Sequence, residues 1–180
     1  MKKLLPLLVI AGLFVAVISM ASAEAAKLKY GGLSTCKACH SSAKMGGEEY
    51  KAYEKSKHAA AFKTLSTDKA KEVAKAAGVA DPTKDPKCLK CHTTAYGKKD
   101  QQGEKYSAEE GVTCEACHGP GENYKSMPVM KDHAKSVAAG LLVPNEKTCL
   151  ECHNDKSPTY KAFDYKKAWA IMKHGPEKTK

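Results

Sequence analysis

Cys-x-x-Cys-His occurs four times in this 180-residue chain, at Cys36/Cys39/His40, Cys88/Cys91/His92, Cys114/Cys117/His118 and Cys149/Cys152/His153. The four copies use all eight cysteines. This spacing is the attachment signal for c-type haem. Two intervening residues put both sulfurs on one turn, where each can form a thioether with one vinyl group of the same porphyrin. The histidine that follows lies over the ring face and offers an imidazole nitrogen to the iron. Structural zinc sites combine cysteine pairs from separate knuckles and do not require a histidine behind each pair. A disulfide scaffold has no use for one. Histidine makes up about 4% of the chain, so its presence behind four of four pairs has chance odds of roughly two in a million. Four covalent haems c are expected.

The N-terminus opens Met1-Lys2-Lys3, runs apolar from Leu4 to Met20 and closes with Ala21-Ser22-Ala23. A basic start, an apolar middle and a small-x-small exit describe a secretory signal peptide over residues 1–23. The apolar run falls short of the roughly 20 residues a membrane span needs. The expectation is an exported, periplasmic chain with no stable membrane anchor, its mature part covering 24–180 as a single domain.

That mature part is short of core material. It holds seven Leu, six Val, Ile171, Phe62 and Phe163, which is roughly 10% of its residues and well under the ~20% expected of a folded chain. Large apolar macrocycles can fill an interior that these side chains cannot. The fold expected is mainly α, with short helices and loops wrapped around a cluster of four covalent haems and little or no sheet. All 30 basic residues are lysine. Readers of bases and phosphates rely on arginine forks, so nucleic acid is not an expected partner. A lysine-rich surface suits brief, salt-sensitive docking to redox proteins with acidic surfaces.

Four six-coordinate haems need eight axial ligands. His40, His92, His118 and His153 supply four, and only His58, His133 and His174 remain. At most three haems can therefore be bis-histidine. Met45, Met127, Met130 and Met172 are the substitutes for an eighth ligand, and no sequence feature singles one out. His58 is followed by Ala59, Ala60 and Ala61, small neighbours that let a flat macrocycle approach.

Local signals place several elements. A helix is expected from about Glu48 through His58. STDKAKEVAKAAG reads as a second, with Ser66 as cap, Asp68 in the positive first turn and Gly78 at the left-handed exit. Asp81 to Pro86 reads as a turn, Gly97 to Gly103 as an exposed loop, and Tyr165 to Lys173 as a last helix stopped by Gly175 and Pro176. Gly119-Pro120-Gly121 either clears space for a neighbouring ring or ends the attachment helix.

SKHAAAF after the first motif, GVTCEACHGPGENY at the third, GLLVPNEKTCLECH at the fourth and KHGP near the end resemble the cytochrome c-554 family. Those are tetrahaem electron carriers, and GVxCExCHGPG is shared with a wider group that includes octahaem enzymes. The resemblance implies a mainly helical fold with haems in parallel-stacked and perpendicular pairs. It also implies three bis-histidine haems and one five-coordinate haem, the second, at Cys88, Cys91 and His92. This chain is shorter than the founding member, so the physiological partner does not carry over. The expected function is periplasmic electron transfer between redox partners, without a catalytic set. The rival is a reductase or sensor binding nitric oxide or nitrite at the open iron. A filament protomer with every haem bis-histidine would need eight histidines.

Overall fold

The computed structural model describes residues 27–45 and 47–174. The expected signal peptide, and Gly175 with Pro176, lie outside that range. Among the described residues ten helices follow one another: α1 (Leu33–His40), α2 (Glu49–Glu54), α3 (Ala61–Thr64), α4 (Asp68–Ala76), α5 (Pro86–His92), α6 (Cys114–His118), α7 (Met127–Met130), α8 (His133–Ala138), α9 (Glu146–Leu150) and α10 (Tyr165–Met172). Three 3-10 turns lie at Lys57–Ala60, Lys99–Gln101 and Ala108–Glu110. Among the described residues the only β pairing is two isolated bridges, Tyr30 with Gln102 and Ser42 with Gly47. The mainly α expectation holds.

The longest helices have at most nine residues, too short to be stable alone in water. They are held by caps and by one another. Asp85 accepts the Lys87 N–H at the start of α5, with Pro86 in the first turn. Asn145 and Thr148 form a reciprocal capping box on α9. Asp132 and Asp164 cap α8 and α10. In α4, Asp68 sits in the first turn and Gly78 takes φ +68 just past the end, as expected. The cap is Thr67 rather than Ser66: its hydroxyl accepts the Ala70 N–H, because the helix starts one residue later than the pattern suggested.

The helix expected through His58 is broken. α2 stops at Glu54, and His58 rides a 3-10 turn before α3 resumes. Ser56, extended at φ −80 and ψ 157, makes the break. The Gly97–Gly103 loop is exposed only at its start. It contains a 3-10 turn, and its end is tied to the N-terminal segment by Tyr30 N–H to Gln101 O at 2.7 Å and Gly103 N–H to Tyr30 O at 2.9 Å.

The protein interior is small. The buried apolar side chains are Tyr30, Tyr53, Leu65, Ala74, Val79, Leu89 and Tyr124. Ile171 is 80% exposed, and Leu142 and Val143 more than half. The chain does not cover its own apolar surface. Among the described residues no helix is long and apolar enough to cross a membrane.

Candidate haem-binding site

Each of the four motifs sits on a short helix or at its end. Cys36 to His40 close α1, Cys88 to His92 fill most of α5, and Cys114 to His118 are α6 itself. Cys149 lies in α9, with Cys152 and His153 in the turns beyond it. All eight thiols are half-buried and none is paired in a disulfide. Burial pushes the Cys117 thiol up to about 11 and the Cys152 thiol up to about 12, so both are held protonated.

The motifs meet in an order that differs from the chain order. α1 packs on α6, and the Cys36 and Cys114 thiols lie close enough to shift each other's titration, raising Cys36 and lowering Cys114. Cys91 lies near enough to Cys152 to help raise its thiol, which brings the second motif to the fourth. Cys117 feels the Cys149 sulfur across the third and fourth motifs. By proximity of their sulfurs alone, the attachment points run first, third, fourth, second.

Two of the spare histidines face motif histidines. The His58 and His153 ring centroids are 5.9 Å apart at an interplanar angle of 64°. Those of His118 and His174 are 6.0 Å apart at 66°. A metal bonded to an imidazole nitrogen at about 2.0 Å lies about 3 Å from the ring centre, so one metal between two imidazoles sets their centres about 6 Å apart. Both pairs have a centroid separation of that size. His133, exposed at the first position of α8, belongs to neither pair. Met45 and Met127 are about half exposed, and neither lies in a facing pair.

The protonation pattern suits ligation. Nδ1 of His92 is 2.7 Å from Ala61 O, that of His118 is 3.2 Å from Leu142 O, and that of His174 is 2.8 Å from Met172 O. A carbonyl only accepts, so each Nδ1 carries the proton and each Nε2 keeps a free lone pair. Nδ1 of His40 donates instead to the Glu49 carboxylate at 3.0 Å. Burial lowers the pKa of His58, His118 and His153, which keeps these rings neutral. Phe163 stacks on His153 at 4.8 Å on a second contact beside His58. Ser56 Oγ, buried two residues before His58, has no partner among the described residues. The donor set, the facing rings and the half-buried thiols all fit covalent haem.

A family model described as cytochrome c554 and c-prime matches residues 35–119. Cytochrome c-554 of Nitrosomonas europaea is 31% identical over 141 residues, which cover 73% of this chain and 53% of that protein. The chain belongs to the cytochrome c-554 family. Membership implies covalently bound haem c. The chain spans about half the length of this curated relative. No solved structure matches.

Several residues that shape the site carried no sequence signal. Glu115, 3% exposed between the cysteines of the third motif, accepts N–H bonds from Gly31 at 2.8 Å, Gly32 at 3.0 Å and Gly121 at 2.7 Å. Thr94 leaves the second motif and receives the Thr113 N–H at 2.8 Å, while its own N–H goes to Gly111 O at 2.8 Å. These bonds lock the second motif to the third. Gly119-Pro120-Gly121 works as a helix stop and a packing surface. A Cβ on Gly119 would press on Leu142, and one on Gly121 would meet the Glu115 carboxylate.

Proposed function

We propose that this chain is a periplasmic tetrahaem c-type cytochrome that carries electrons between redox proteins. The observation that carries this reading is the two facing imidazole pairs beside four linked Cys-x-x-Cys-His motifs. When bound, haem c supplies reversible one-electron chemistry at a covalently fixed iron. Cys36/Cys39, Cys88/Cys91, Cys114/Cys117 and Cys149/Cys152 would hold the four groups. His58 with His153, and His118 with His174, would be the imidazole pairs that hold two of the irons. His133 is left for His40 by elimination, since the family resemblance leaves His92 without a protein partner. The attachment points form one line from the first motif through the third and fourth to the second. Lysine-rich helices such as α4 meet acidic partners through long-range attraction that salt screens.

Intact mass should equal residues 24–180 plus four haems, and electron paramagnetic resonance of the ferric protein should count one high-spin centre. Electron exchange with an acidic redox partner should slow as salt rises. Fast turnover of nitric oxide or nitrite that depends on the His92 site would replace the carrier by a reductase. A mass carrying zinc or disulfides would remove both readings.

A further inference from the structure

The four histidines that follow the cysteine pairs have different partners behind the ring. His92 and His118 donate Nδ1–H to neutral backbone carbonyls, and His153 is backed by the Phe163 ring. His40 donates to a carboxylate, Glu49 Oε2 at 3.0 Å. The pair is largely shielded, with side-chain exposures of 27% and 22%.

The carboxylate is seated in a place shaped for it. The loop after α1 folds back through the Ser42–Gly47 bridge, with Gly47 N–H on Ser42 O at 3.1 Å. α2 then packs on α1 with Glu49 at its first position. A Cβ at residue 47 would overlap both Glu49 carboxylate oxygens. Lys51, the nearest cation along α2, pairs with Glu48 instead and leaves Glu49 to His40.

We infer that Glu49 is a positioning residue that lowers the reduction potential of the haem held by Cys36, Cys39 and His40, and so biases electron flow away from that end. The inference rests on reading the motifs as haem sites. A carboxylate behind Nδ1–H fixes the ring and makes Nε2 a stronger donor, which favours the more positive ferric state. Its negative charge acts in the same direction. One electron is exchanged, and the Nδ1 proton stays on His40. In the attachment order, the first and second motifs are the two ends. The first has a carboxylate behind its histidine and the second a neutral carbonyl. The ends are therefore unlike, and the end at Cys36 is the stronger reductant.

The test uses purified holoprotein, with intact mass confirming four haems and spectroelectrochemistry resolving their potentials. Nuclear magnetic resonance assigns the moving haem through cross-peaks to α1 protons. Glu49→Gln should favour reduction of that haem about tenfold, about 59 mV for one electron, with the other three shifting far less. Gly47→Ala, which pushes the carboxylate off His40 without removing it, should move the same haem the same way. An unmoved potential, a shift on another haem, or all four moving together would each overturn the role of Glu49. A wild-type mass without four haems would instead overturn the reading beneath it.

Discussion

Three backbone N–H groups, two from distant Gly31 and Gly32 and one from nearby Gly121, end on the Glu115 carboxylate, which ties the Gly31–Gly32 segment and the Gly121 turn to the third motif. Leaving a buried donor unsatisfied costs about 1–3 kcal/mol. Glu115→Ala orphans three donors and should lower stability by about 3 kcal/mol or more in denaturant titration. Glu115→Gln keeps one acceptor oxygen and should lose clearly less. Equal losses would show that the carboxylate matters only for packing. The facing histidines allow an equally local forecast. His58→Gly should turn the haem at Cys149/Cys152 from low spin to high spin, and His174→Gly the haem at Cys114/Cys117. Paramagnetic resonance reads both changes, and haem-by-haem assignment checks the pairing.

At the scale of elements, short helices depend on their ends. α4 has only nine residues, and Thr67 supplies its side-chain cap. Thr67→Ala should cost about 1 kcal/mol and Ser66→Ala almost nothing, measurable by thermal unfolding. The reverse order would restore Ser66 as the cap. Gly111 joins three elements. With φ +74, it brings the segment before α6 against the backbone of Phe62 and His58. Gly111→Ala adds a Cβ 3.2 Å from the Phe62 nitrogen in a backbone region that disfavours side chains. It should destabilise by about 1–3 kcal/mol and loosen His58, seen as partial high-spin character at the His153 haem.

Across the described residues the protein buries few apolar side chains of its own and leaves Ile171, Leu142 and Val143 exposed. Helices this short, around a core this small, do not outweigh the entropy of ordering the chain. Protein made without haem attachment should therefore show little helix by circular dichroism and no cooperative melt, whereas the holoprotein should melt cooperatively. A helical, cooperative apo-protein would mean that the side-chain core suffices.

The motif spacing, the supply of seven histidines, the lysine content, the scarcity of β pairing among the described residues and the helices at α4 and α10 were all legible in the sequence. Each depends on residues within a turn or two of one another, or on composition. Even there, the one-residue shift from Ser66 to Thr67 and the break at Ser56 escaped, because neighbouring hydroxyls carry nearly the same capping signal and the pattern around His58 stays helical. The pairing of His58 with the fourth motif, the line of attachment points and the carboxylates of Glu115 and Glu49 came only from the tertiary structure. They join residues far apart in the chain. Such contacts have no period to read, and are chosen by which loops can close and which buried donors must find an acceptor.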